Sequence, residues 1–119
     1  MTKENRKERA RQLHKNGLNC CQAVLLTYAD KLPVEESVAI MVSAPFGRGL
    51  AGMREVCGCV SGIAMACGLS GNDYLTKTAI DDFKTINGDV VCARLLEKGK
   101  KSCNELVADA VGILSDYLK

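Results

Sequence analysis

Helix start and stop signals punctuate this chain from end to end, and no stretch carries β alternation of useful length. Thr2 stands as a cap before a polar run, residues 3–16, that Gly17 stops. Its weak apolar stripe, Ala10 and Leu13, predicts a helix lying on the surface. Asn19 is a good N-cap for a second helix, which carries Cys20, Cys21, Val24, Leu25 and Tyr28. Pro33 opens a third, with Glu35 and Glu36 in its first turn, where carboxylates complement the helix dipole; it ends before Pro45. The run Gly47-Arg48-Gly49-Leu50-Ala51-Gly52 reads as a loop, and a fourth helix is expected over residues 54–67, stopped by Gly68. Asn72 caps a fifth, with Leu75, Ala79, Phe83 and Ile86 on one face and Gly88 at its end. Asp89 caps a short sixth, residues 90–97, closed by Gly99. Ser102-Cys103-Asn104-Glu105 matches the S-x-x-E capping box at the head of the last helix, whose stripe runs from Leu106 to Leu118. The expected fold is all-α, a compact bundle of six or seven helices, some short, in a single cysteine-rich domain over residues 1–119.

Aromatic residues make up only 4% of the chain and Trp is absent, so Leu, Ile, Val, Ala, Met and Cys must build the core. A net charge of +2 is too small to imply a polyanionic partner. The basic N-terminal residues are offset by Glu4 and Glu8 and lack aromatic interleaving, which argues against nucleic acid. The apolar stretches at 38–46 and 56–69 are too short or too Gly-rich to span a bilayer. Residues 3–15 form a charged run with no apolar stretch after it, unlike a secretory signal, so a cytoplasmic, reducing setting is expected.

In that setting the seven cysteines, Cys20, Cys21, Cys57, Cys59, Cys67, Cys92 and Cys103, read as metal-binding or catalytic rather than as disulfides. Their number is odd, so internal bridges could not pair them all. Cys20 follows the cap Asn19, Cys103 follows the cap Ser102, Cys92 lies three positions after Asp89, and Cys57 falls near the start of the fourth helix. The free N–H groups and positive dipole of a helix N-terminus favour a thiolate, which is both redox nucleophile and metal ligand. Cys67, late in an apolar helix, reads as core packing. Cys57 and Cys59 would point about 200° apart on a helix and could share a partner only where the backbone is not helical. Cys20 and Cys21 diverge likewise, and a bridge between them would be strained.

Gly58, Gly62 and Ala66 recur every four residues and make a smooth ridge, read first as close helix packing and second as room for a cofactor beside Cys57. The glycine loop fits G-x-G-x-x-G but lacks the preceding strand that a dinucleotide site needs. It is expected instead to pass close to Cys57 and lend N–H groups to sulfur. Gly49, Gly52 and Gly58 are therefore the candidate cofactor contacts. His14, the only histidine, is placed on a solvated basic helix, away from any ligand role.

At Cys57-Gly58-Cys59-Val60-Ser61-Gly62 the chain resembles a family of redox-active proteins with the pattern Cys … C-G-A-x-x-G … Cys … Cys. Asn19-Cys20-Cys21-Gln22-Ala23-Val24 looks like its first cysteine element, and Cys92 and Cys103 match its last two cysteines. The family is similar to the cluster-bearing domain of split-Soret cytochromes, which implies an all-helical fold, an iron–sulfur centre and a dimer. Its genes often lie beside transporter genes, which points to redox or metal handling. Cys59 stands where the pattern has Ala, and Cys21 and Cys67 are also extra. No C-x-x-C-H haem attachment motif is present, so a haem role does not carry over.

Three functions compete. In the first, Cys20, Cys57, Cys92 and Cys103 hold an iron–sulfur cluster for electron transfer to a redox partner, four thiolates being the usual ligand set, with Cys59 and Cys21 as further donors. In the second, the same residues act without metal as a thiol–disulfide oxidoreductase or sensor. In the third, they hold a structural zinc. Spacings of 37, 35 and 11 residues match neither zinc-finger nor ferredoxin signatures, and C-x-x-C is absent. The cluster ranks first, bare thiols second and zinc third.

Overall fold

The computed structural model describes residues 1–118. Among them the chain forms seven α-helices: α1 (Lys3–Lys15), α2 (Cys20–Thr27), α3 (Glu36–Ser43), α4 (Gly58–Leu69), α5 (Thr76–Asn87), α6 (Cys92–Lys98) and α7 (Cys103–Tyr117). No strand longer than a single bridge appears among the described residues. The all-α bundle is as expected.

Thr2, Asn19 and Ser102 cap where the sequence puts them, but α3 begins at Glu36 and not at Pro33, α5 begins at Thr76 after a 3-10 turn and is not capped by Asn72, and α6 begins at Cys92, past Asp89. The Asn19 side chain accepts from the Gln22 N–H while the Gln22 side chain accepts from the Asn19 N–H, a complete capping box. Ser102 accepts from the Glu105 N–H, but the Glu105 carboxylate turns to Arg11 at 3.1 Å instead of closing the box. Gly88 and Gly99 end α5 and α6 in left-handed backbone, at φ 85° and 60°.

Helix α7 runs through the middle and packs against α1, α2, α4 and α5. That is why its buried positions, Leu106 to Ala108 and Ala110 to Leu114, exceed one stripe. Helices α2 and α4 meet closely along the small-residue ridge: a Cβ on Gly62 would fall 2.8 Å from Val24 Cβ. The packing reading of that ridge holds.

Helix α1 lies on the surface, as its polar sequence predicts, with Ala10 and Leu13 turned to the core, but it buries a residue that the pattern does not mark. It docks on α7 with Ala10 buried and with Arg6 only 3% exposed. The Arg6 guanidinium donates to the Thr27 carbonyl at 2.8 Å, forks onto the Asp30 carboxylate, and sits 4.4 Å over the Tyr28 ring. The Tyr28 hydroxyl in turn donates to the Val111 carbonyl. An arginine does the anchoring that periodicity assigns to aliphatic residues. Arg6→Ala is expected to destabilise the fold by about 2–3 kcal/mol in urea unfolding, from a lost buried hydrogen bond, a lost cation–π contact and a void.

Two further expectations are corrected. In α5, Ala79 and Phe83 are buried and Ile80 is packed against the core, while Ile86 is 52% exposed, one step off the 79–80–83 stripe. Helix α4 begins at Gly58, not at residue 54. The residues before it leave the right-handed region: Arg48, Leu50, Ala51 and Arg54 all have positive φ, as do Gly49 and Gly52. A left-handed L-residue costs roughly 1–2 kcal/mol, so helix cannot propagate back through this stretch. Backbone bonds hold it in place, among them Ala51 N–H to the Pro45 carbonyl at 2.7 Å and Glu55 N–H to the Gly49 carbonyl at 2.8 Å. Its far end pairs with the entrance to α6 through Cys57 N–H to the Val90 carbonyl and Cys92 N–H to the Glu55 carbonyl.

No helix among the described residues is long and apolar enough to cross a membrane.

Candidate thiol site

Four helices start at one place, each with a cysteine at its head. Cys20, Cys92 and Cys103 are the first residues of α2, α6 and α7, and Cys57 is the N-cap of α4. All four line one cavity of about 520 Å³, together with Cys59. Sulfurs up to 83 residues apart in sequence are thus gathered on one space. The other two cysteines are elsewhere: Cys67 is fully buried in the core, and Cys21 is fully buried with its sulfur 3.8 Å from that of Met65.

Cys57 and Cys59 share a partner because α4 starts between them. Cys57 has extended backbone (φ −53°, ψ 133°), so the pair escapes helical divergence. The Cys59 thiol lies within donating reach of both the Cys20 and the Cys57 sulfur. Its single S–H can be donated to one of them at a time. This contact, reinforced by N–H groups of Arg48, Cys21 and Cys20, pulls Cys20 down to a pKa of about 6 against the cost of burial. Cys57 is lowered by Cys59 and by the N–H groups of Cys59 and Val60. Cys59, which lies within donating reach of both and is fully buried, is raised. Burial raises Cys21 to about 12, so this neighbour of Cys20 stays a thiol. Cys103 is raised by desolvation and then by the charges of Cys20, Cys57 and Cys92, which places the four sulfurs within electrostatic reach of one another.

The glycine loop does lend an N–H to sulfur, but from Arg48 to Cys20 and not to Cys57. None of Gly49, Gly52 and Gly58 lines the cavity. A Cβ on Gly49 would strike the Arg54 backbone at 2.5 Å, and one on Gly58 would meet Cys20 Sγ at 2.3 Å and the Phe46 carbonyl oxygen at 3.0 Å. Chain contacts account for both, while a Cβ on Gly52 would face open space. At a helix position Ala normally outdoes Gly by about 1 kcal/mol. Gly58→Ala is nonetheless expected to lose about 1–3 kcal/mol in thermal or urea unfolding, because the Phe46 and Cys21 backbones cannot yield cheaply.

Three cavity residues escaped the sequence reading. His14 lies on this wall rather than on a solvated face; its Nδ1 is 3.1 Å from the Asn104 side-chain nitrogen, and burial lowers its pKa. Arg48 and Arg54 reach the cavity from the left-handed loop, and Arg54 stands 3.6 Å from Cys92 Sγ. Only tertiary contact brings them there. The glycines flanking them were the sole signal.

Among the described residues, no three His, Cys, Asp or Glu side chains are grouped to hold a metal ion. One zinc draws its thiolates to about 2.3 Å from a single point, so this arrangement does not fit a one-ion site as it stands. A polynuclear cluster spreads its ligands around a larger body.

No curated protein and no solved structure matches the chain. A family model, described as “Putative redox-active protein (C_GCAxxG_C_C)”, matches residues 18–117, a stretch holding all seven cysteines. The central element of that description falls on the stretch Cys57-Gly58-Cys59-Val60-Ser61-Gly62, which holds two cysteines, Cys57 and Cys59. Both face the same cavity. With the matched stretch covering most of its length, the chain belongs to this redox-active family.

Proposed function

We propose that this protein carries out two-electron thiol–disulfide chemistry at Cys20, Cys57 and Cys59. The single observation that carries this reading is that Cys20, Cys57 and Cys59, from the heads of two helices, line one cavity, where the neighbouring Cys59 thiol and backbone N–H groups favour the Cys20 thiolate. Cys20 is the nucleophile. Its thiolate attacks a disulfide sulfur of the oxidant, an S–S bond forms to Cys20, and the departing half leaves as a thiolate that takes a proton from water, while the buried Cys59 keeps its own. Cys57, also held toward thiolate, then attacks Cys20 Sγ and expels the second half of the oxidant as a thiolate, which likewise takes a proton from water. One disulfide is reduced to two thiols, and a Cys20–Cys57 disulfide is formed. Cys92 and Cys103 complete the walls.

A second reading, electron transfer through an iron–sulfur cluster, is favoured by the four helix-start cysteines on one cavity. Cys20, Cys57, Cys92 and Cys103 would hold the cluster, and it would supply one-electron chemistry. The lowered Cys20 and Cys57 beside the Cys59 thiol support bare thiol chemistry over the cluster, the reverse of the order taken from sequence. Anaerobic purification, a visible spectrum, iron and sulfide analysis and a free-thiol count separate the two. A colourless, iron-free protein that loses two thiols per chain on mild oxidation supports the thiol reading. A brown protein with stoichiometric iron and sulfide supports the cluster.

A further inference from the structure

The thiol cavity has a marked charge asymmetry. Arg48 and Arg54 line it, and no Asp or Glu does. Neither guanidinium forms an ion pair with a carboxylate among the described residues, although the surface elsewhere is laced with such pairs. Nor is either charge taken up by the nucleophile: the Cys20 sulfur is held by the Cys59 thiol and by backbone N–H groups. Both arginines sit at positive φ, 55° and 60°, in backbone that disfavours any L-residue except Asn or Asp. A long cation there has a structural cost; Arg54 makes one contact inside the fold, to Cys92 Sγ at 3.6 Å, and no carboxylate pairs with either guanidinium among the described residues. The remaining wall is apolar, from Leu18, Leu95, Leu96 and Leu106, with His14 tending to the neutral form.

We infer that the cavity binds a small anionic reactant, with Arg48 and Arg54 drawing an electrophile that carries a carboxylate or similar oxyanion onto the Cys20 sulfur. This rests on the proposed role of Cys20 as nucleophile and names the substrate class for it: a low-molecular-weight disulfide bearing carboxylates, its apolar stem against the leucines and its anionic ends on the guanidinium groups. Electrostatic focusing in a cleft of one sign raises both local concentration and encounter rate.

The test uses two alkylating probes of like size and opposite charge state, the iodoacetate anion and neutral iodoacetamide. In each, Cys20 thiolate displaces iodide and a carbon–sulfur bond forms, so no oxidant is needed. Rate constants at Cys20 are read by peptide mass spectrometry near neutral pH. The iodoacetate-to-iodoacetamide ratio is expected to be about tenfold higher in the wild-type protein than in Arg48→Asn/Arg54→Asn, where Asn suits the left-handed backbone and the Arg48 N–H remains. Arg48→Lys/Arg54→Lys is expected to keep most of the preference. Raised salt should lower the ratio in the unaltered protein, which reads the same property without any substitution. An equal ratio in wild type and double Asn variant, with no salt dependence, would overturn the inference and leave the thiol chemistry standing. Slow labelling of Cys20 by both probes would overturn the thiol chemistry and the inference with it.

Discussion

Cys20→Ser is expected to abolish the labelling step near pH 6 and the Cys20–Cys57 bridge formed with small disulfides, leaving only the slower reactions of the remaining thiols. At a pKa of about 6, Cys20 is half thiolate at pH 6. A free cysteine, with a pKa of about 8.5, is then less than about 1% thiolate. The gain is not free, since a less basic thiolate is intrinsically slower, by roughly tenfold over this interval. The two effects leave a net advantage of about tenfold at pH 6 that shrinks to a few-fold at pH 7. The midpoint of the pH profile is therefore a sharper readout than the rate itself. Because the pKa is lowered, reactivity is present above pH 6 and lost as pH falls through it. Iodoacetamide labelling of the Cys20 peptide, followed from acid to alkaline pH, should give a step near 6 in the wild-type protein; the Ser variant loses that step and keeps only the labelling of the other cysteines, Cys57 among them.

The second large effect belongs to Cys59. Its thiol is the first-ranked cause of the low Cys20 pKa, and it acts on Cys57 as well. A hydrogen bond to a charged group contributes about 1.5–3 kcal/mol, which corresponds to one to two pKa units. Cys59→Ala is therefore expected to move the Cys20 step from near 6 to between about 7 and 8. The void left in the core should cost about 1 kcal/mol, too little to unfold the chain. Cys59→Ser restores a donor on a shorter bond and should recover part of the shift. A merely structural role for Cys59 would change stability in both variants while leaving the step at 6.

Much of this site was legible before any coordinates. The caps Asn19 and Ser102 are short-range chemistry, so the placing of Cys20 and Cys103 at helix starts followed directly from them. Cys92 proved closer to a start than its spacing from Asp89 suggests, because Asp89 spends its carboxylate on the Val90 and Val91 N–H groups ahead of the helix. The head of α4 was misplaced for a specific reason. Arg48, Leu50, Ala51 and Arg54 give no local sign of left-handed backbone, since only Gly and Asn advertise it. That error hid the role of Cys59, whose approach to Cys57 depends on the non-helical turn before Gly58. Arg6 misled in the opposite sense. A charged residue on a polar helix reads as solvent-facing until Thr27, Tyr28 and Asp30 are folded around it.

The most direct measurement is a peptide map of the protein after oxidation with one equivalent of a small disulfide. A single new bridge between Cys20 and Cys57, with Cys21 and Cys67 recovered as free thiols, is the required result. An oxidised protein in which Cys20 remains free, or in which the bridge joins cysteines outside the Cys20–Cys57–Cys59 group, would contradict the site as described.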